Sequence, residues 1–157
     1  MRVRQPGPVC DGLWCLGRAE SSVYLLQGAQ GSMLISGGMS GIVPDVLQQL
    51  QDFGLDESRI TSCLILHAHF DHVGIIPFFK RRLPHMEVYA SDRAWQLLSK
   101  TKVIETINAF SQMTDEQLGM SRQAHGLDLD WRDDVTGTVV REGDVLDLGN
   151  LEVQILE

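Results

Sequence analysis

The chain has 157 residues, 43% of them hydrophobic and 22% charged, with a formal net charge of −8. That length suits one core, read as one domain over residues 1–157, in an ordinary globular protein. The acidic balance, relieved only by the short run Lys80-Arg81-Arg82, argues against nucleic acid as a partner, because phosphate backbones need clustered lysine and arginine.

Residues 9–16 read as a first strand. Residues 22–27 and 32–36 flank Gly28-Ala29-Gln30-Gly31 and form a hairpin. Gly37, Gly38 and Gly41 then break the chain. Val43, Val46, Leu47, Leu50 and Phe53 recur at three and four residues, which predicts a helix with one apolar face. Pro44 suits its first turn and Gly54 its stop. Residues 60–66 are apolar and continuous, as in a strand covered on both faces. Gly74 and Pro77 mark the start of a helix running to about Arg82. Residues 86–90 read as a strand, and Ser91 caps a helix carrying Trp95 and Leu98. Val103, Ile107 and Phe110 continue helical spacing. Thr114 and Gln117 fit a capping box, so a new helix is expected from Thr114. Periodicity fades over 125–134. Strands return at 137–140, 145–148 and 151–156, the last two joined by the hairpin turn Gly149-Asn150. The order of elements predicts an α/β layered architecture.

No apolar stretch approaches the roughly 18 residues of a membrane span, and no apolar signal region follows Arg2, Arg4, Pro6 and Pro8. Cys10, Cys15 and Cys63 lack C-x-x-C spacing, so neither a disulfide framework nor a cysteine metal site is expected. Cys63 reads as a small core residue. Cytoplasm is the default compartment.

The chemistry concentrates in Leu66-His67-Ala68-His69-Phe70-Asp71-His72, the pattern H-x-H-x-D-H. Residues i and i+2 of an extended segment point the same way, so His67 and His69 can reach one cation together. The chain then turns, which lets Asp71 and His72 face a second position. Imidazole suits zinc, iron and nickel, and the carboxylate widens the choice towards manganese. Two such ions, about 3.5–4 Å apart, lower the pKa of a water held between them. Asp71 can both bind metal and orient the resulting hydroxide, which makes it the expected catalytic residue. Glycines at 37, 38 and 74 let backbone come close to the site. His85 reads as a surface residue, His125 as a residue outside the site, and Trp131 as a packing residue.

This motif follows a hydrophobic strand, and Leu34-Ile35-Ser36-Gly37-Gly38 forms a second, glycine-ended one. Together they resemble the metallo-β-lactamase superfamily. The stretch Arg141-Glu142-Gly143-Asp144-Val145-Leu146-Asp147-Leu148-Gly149 is similar to that family's hairpin before its next metal-binding loop. The resemblance covers nearly the whole chain but only the N-terminal half of a family member. Residues 82–93 and the helices after them look closest to thioesterase-like members such as the quinolone-signal-response protein. The resemblance implies the N-terminal half of an αβ/βα sandwich, a mixed sheet with helices on one face. It implies a hydrolase of an ester, thioester or similar acyl bond in a small molecule, acting through metal-bound hydroxide. The metal would be zinc, as one or two ions, with iron or manganese as substitutes; His67 and His69 would bind the first and Asp71 and His72 the second. The family's downstream ligands, a His in a T-P-G-H-like loop, a bridging Asp and a last His, are not in this sequence. The alternative is therefore a non-catalytic binding or regulatory module, or an inactive fragment.

Two departures stand out. The family often has Asp where Ser36 stands, so a carboxylate supporting the metal loop is missing. It often has Thr before the first His and Gly-Gly after the last, where this chain has Leu66 and Gly74-Ile75. An apolar sheet face is expected to lie uncovered, and self-association or a complementary chain is the expected remedy.

Overall fold

The computed structural model describes residues 5–120 and 122–156. Four strands follow one another in antiparallel pairs: β1 (Gly7–Cys10), β2 (Leu13–Gly17), β3 (Ser22–Gln27) and β4 (Ser32–Ile35). The single strand expected over 9–16 is thus two. Asp11-Gly12 turns the chain between them, with Gly12 at φ +73°, a left-handed conformation that glycine adopts without a Cβ clash. The hairpin at 28–31 forms as expected, with the Gly28 N–H donating to the Gly31 carbonyl at 2.8 Å.

After β4 the sheet changes sense. β5 (Ile60–Leu64), β6 (Glu87–Ala90) and β7 (Thr138–Val139) each run parallel to the strand before, completing a seven-stranded mixed sheet in chain order. Parallel neighbours need long crossovers. Helices supply them: α1 (Val43–Asp52), α2 (Phe70–Val73), α3 (Ile76–Arg82), α4 (Asp92–Leu98), α5 (Thr101–Gln117) and α6 (Arg122–His125). Ser91 caps α4, its hydroxyl accepting from the Ala94 N–H at 3.2 Å. No helix begins at Thr114. Its hydroxyl donates back to the Phe110 and Ser111 carbonyls, both at 3.0 Å, as a residue inside a helix does. α5 therefore runs through to Gln117 and ends before Gly119, at φ +72°.

Alternation along the strands divides the interior in two. Leu34, Cys63, Ile65 and Val88 face the helices and pack in one cluster with Val46, Leu50, Phe79 and Ile107. Burial pushes the Cys63 thiol up to about 12, in keeping with a core role. Met33, Leu64 and Tyr89 point to the opposite face. There they meet a separate antiparallel hairpin, β8 (Val145–Asp147) and β9 (Glu152–Gln154). Its Gly149-Asn150 turn closes with the Leu148 N–H on the Leu151 carbonyl at 2.8 Å. The turn docks on residues 28–31: the Gln30 N–H donates to the Leu148 carbonyl at 2.9 Å and the Ala29 N–H to Asn150 Oδ1 at 2.6 Å.

The sheet face expected to be bare is thus partly covered. Met33 and Leu64 are 1% and 7% exposed, whereas Leu26, Ile35 and Tyr89 at its rim stay half-buried. The mixed α/β arrangement, with helices packed against one face of the sheet, is the architecture the sequence predicts. Among the described residues no helix is long and apolar enough to cross a membrane.

Candidate metal centre

The motif begins where β5 leaves the sheet. The Ile65 N–H still donates to the Tyr89 carbonyl at 2.8 Å, but the paired strand ends at Leu64, two residues earlier than expected. Leu66 already lies 61% exposed. His67 and His69 follow on an extended segment, with His69 at φ −81° and ψ 155° as the residue preceding α2. Asp71 and His72 lie in α2 itself. The site therefore sits at the carboxyl end of a central parallel strand, where open α/β sheets place their ligands.

The four side chains come together as two pairs. His67 Nε2 and His69 Nδ1 are 2.8 Å apart, with ring centroids at 4.1 Å. Asp71 Oδ2 and His72 Nε2 are 3.7 Å apart. The His67 and His72 rings, centroids 5.4 Å apart, link the pairs. All four groups are exposed or half-exposed. Among the described residues no set of three or more His, Cys, Asp or Glu side chains is gathered closely enough to hold a metal ion. His85 is exposed, as expected, and so is His125.

The donor set fits divalent cations in pairs. Two imidazole nitrogens sharing a tetrahedral zinc at about 2.05 Å stand about 3.3 Å apart. The 67–69 pair would have to open by only about half an ångström to reach that spacing. One of the two nitrogens now donates to the other; a cation would replace the shared proton, as metal binding does at neutral imidazoles.

The backbone beneath the pairs is held to the glycine turn after β4. The Gly37 N–H donates to the His72 carbonyl at 2.6 Å, and the Gly74 N–H to the Gly38 carbonyl at 2.7 Å. A Cβ on Gly74 would stand 2.2 Å from the Ser40 nitrogen, and one on Gly37 would stand 2.7 Å from the His72 oxygen. These contacts explain why glycine occupies both positions.

Ser36, just after β4, reaches the motif directly. Its Oγ lies 3.1 Å from His72 Nδ1, which leaves Nε2 on the Asp71 side of the ring. Ser36 reaches this position with φ +67°, in the left-handed region that non-glycine residues rarely occupy.

Sequence reasoning missed two further supports. Trp131 is 2% exposed, and its Nε1–H donates to the Val73 carbonyl at 3.0 Å, under the end of α2. Its packing role was legible, but not the contact with the motif helix, 58 residues away. Asp115, 1% exposed on α5, accepts from Ser40 Oγ at 2.8 Å and from Arg122 Nε at 2.6 Å. Arg122 also pairs with Asp130. This network fastens α5 and α6 to the segment that follows the glycine turn. No signal short of the fold brings Ser40, Asp115 and Arg122 together.

Two grooves flank the loop over residues 66–70. One, of about 480 Å³, runs between the loop and α5 and is lined by Ala68, His69, Phe70, Lys102, Val103, Thr106, Ile107 and Phe110. The other, of about 430 Å³, carries Leu66, His67, Ser91, Arg93 and Leu97, and shares Ala68 and His69 with the first.

Solved structures share this arrangement of elements. The metallo-β-lactamase GOB-18 from Elizabethkingia meningoseptica superposes with a TM-score of 0.73 at 20% identity, covering 97% of this chain and 50% of its own. MEM-A1, a subclass B3 metallo-β-lactamase from a soil metagenome library, gives 0.70 at 23% identity, covering 96% and 51%. BJP-1, a subclass B3 enzyme of Bradyrhizobium japonicum, gives 0.66 at 20%, covering 95% and 50%. The chain thus spans about half the length of these structures, and at such identities they speak for the fold alone. The family model of the metallo-β-lactamase superfamily matches residues 16–151, well over half of the chain and including the whole motif. The chain belongs to the metallo-β-lactamase superfamily, whose members are typically hydrolytic metalloenzymes.

Proposed function

We propose that this chain carries the first-half metal ligands of a hydrolase that cleaves an ester, thioester or similar acyl bond. The observation that supports it is the pairing of His67 with His69, and of Asp71 with His72, in one exposed stretch that runs from the end of β5 into α2. Zinc is the ion best matched to this donor set, as one or two ions; iron or manganese would also be accepted. When bound, such ions supply Lewis acidity and lower the pKa of water towards neutrality.

The chain's own residues have distinct tasks. His67 Nε2 and His69 Nδ1 would hold one cation. Asp71 and His72 Nε2 would hold the second, with Ser36 fixing the His72 ring through Nδ1. The Asp71 carboxylate also accepts a hydrogen bond from the attacking water and orients it. Water oxygen bonds to the acyl carbon, the bond to the leaving oxygen or sulfur breaks, and the water's proton passes to the leaving group. Within this class a thioester is the finer assignment. It follows the likeness of residues 82–93 and the subsequent helices to thioesterase-like members, and the apolar groove beside His69 suits an acyl chain.

One observation favours a second reading. The motif offers each ion two protein ligands, where zinc usually takes three or four. A module that binds without turnover, or that acts only once further ligands join it, has the same geometry. Reading the nucleotides beyond codon 157 separates the two: a downstream Gly-His loop with further Asp and His supports the hydrolase, and a stop codon supports the binding module. The direct assay is hydrolysis of p-nitrophenyl octanoate, octanoyl thioester and bis-p-nitrophenyl phosphate with added zinc or manganese. Acyl hydrolysis that disappears in His69→Ala supports the proposal. Acyl hydrolysis that survives His69→Ala, or activity confined to the phosphodiester, overturns it.

A further inference from the structure

We propose that the groove between the motif loop and α5 receives the apolar arm of an anionic acyl compound, with Lys102 pairing to its negative charge. The inference rests on the acyl-hydrolase reading only in treating that compound as substrate; the groove and its charge stand independently. Four observations carry it. First, the groove is continuous with the candidate metal centre, because His69 forms part of its wall. Second, that wall is otherwise mostly apolar. Phe70 and Phe110 stack with centroids 5.4 Å apart, and Val103 and Ile107 extend the surface along α5. About 480 Å³ falls within the size range of small-molecule sites.

Third, apolar surface is left open on this side of α5. Phe110 and Met113 are 46% and 45% exposed one turn apart, two of the five large apolar side chains that lie exposed among the described residues. Fourth, the groove contains a single formal charge, that of Lys102, and no acidic side chain of the described residues pairs with it. Lys102 also stands in the first turn of α5, which contains no acidic residue. A cation there opposes the helix dipole, so helix stability does not account for its placement. In a chain of net charge −8, an unpaired lysine beside an apolar trench selects an amphiphile with a negative group over a neutral or cationic one.

The groove on the other side of the loop, with Ser91 and Arg93, completes the geometry. A bond lying over His67 and His69 has its apolar arm on the α5 side and room for a polar leaving group on the other.

The test uses three probes of equal chain length: octanoate, 1-octanol and octyltrimethylammonium. Binding is measured by titration calorimetry on the whole chain with chelator present, so neither bound metal nor turnover enters the result. Octanoate is expected to bind about three-fold or more tightly than the other two, the scale of an exposed ion pair. Lys102→Gln should remove that preference and leave octanol binding unchanged. Thr106→Trp, at an exposed position on the groove wall, should weaken all three. Both variants lie on the surface, and matching thermal melts confirm that they fold. Octanoate binding no tighter than octyltrimethylammonium, an unchanged preference in Lys102→Gln, or unaltered binding in Thr106→Trp would each overturn the proposal. Failure of the hydrolase reading shows separately, as acyl hydrolysis insensitive to His69→Ala.

Discussion

Ser36 is the position where stability and metal binding can be pulled apart. It holds a left-handed backbone at φ +67° and places Oγ 3.1 Å from His72 Nδ1. A non-glycine residue in that conformation costs roughly 1–2 kcal/mol. The hydrogen bond returns about 0.5–1.5 kcal/mol. Ser36→Ala keeps the strain and loses the bond, so unfolding free energy should fall by about 1 kcal/mol. Ser36→Gly loses the same bond but relieves the strain, so the two changes nearly cancel and stability should stay within about 1 kcal/mol of the parent. Metal affinity should behave differently. Both variants release the His72 ring, and loss of such an outer hydrogen bond typically costs 10–100-fold in affinity. Ser36→Asp, which restores a carboxylate acceptor for Nδ1–H, should bind at least as tightly as the parent. Urea melts and competitive titration with a chromophoric zinc chelator read the two quantities separately. Parental zinc affinity in Ser36→Gly would refute the role given to this hydroxyl.

Trp131→Phe removes the donor to the Val73 carbonyl while keeping an aromatic body. A buried carbonyl left unpaired costs about 1–3 kcal/mol; at about 2–4 °C per kcal/mol for this chain length, the thermal midpoint should drop by roughly 2–12 °C. An unchanged midpoint would remove Trp131 from the supports of α2. The Arg81 guanidinium, hydrogen-bonded to Asp134, holds that carboxyl below the usual carboxylate range, with partial burial opposing. Its contribution is therefore present above pH 4 and is lost as pH falls through the depressed value. The side chain is 45% exposed, so the effect is small and salt-sensitive. Arg81→Met should lose less thermal stability than the parent between pH 6 and pH 3; an equal or larger loss would count against the pairing. The half-buried rim of Leu26, Ile35 and Tyr89, beside β8 and β9, should drive association at high concentration. Sedimentation velocity should show concentration-dependent species, and a single monomer across the range would contradict this.

The candidate donors were legible in the sequence as a cluster because they are local: four of them fall within six residues, and a short apolar run places them at a strand end. The fold class was legible for a similar reason, since the periods of β5, α1 and the closing hairpin are strong. What failed was local competition. Asp11-Gly12 is itself hairpin chemistry, but the apolar residues on either side masked it as one strand. Thr114 matched a capping box in spelling, yet the preceding turns of α5 were already helical, and its hydroxyl bonded backwards. The loss of a carboxylate at Ser36 suggested a weakened loop, whereas the hydroxyl reaches His72 through a backbone angle that no residue pattern announces. The contact of Trp131 with Val73, and those of Ser40 with Asp115 and Arg122, join residues 58 to 82 positions apart. Such contacts exist only once the sheet has brought its crossovers together.

The central claim is that the motif binds divalent cations as two pairs. Cobalt titration followed by visible absorbance, on the parent and on alanine variants at positions 67, 69, 71 and 72, tests it most directly. The account predicts two patterns: His67→Ala and His69→Ala lose one class of site, and Asp71→Ala and His72→Ala lose the other. Cobalt spectra and affinities indistinguishable from the parent in all four variants would contradict it.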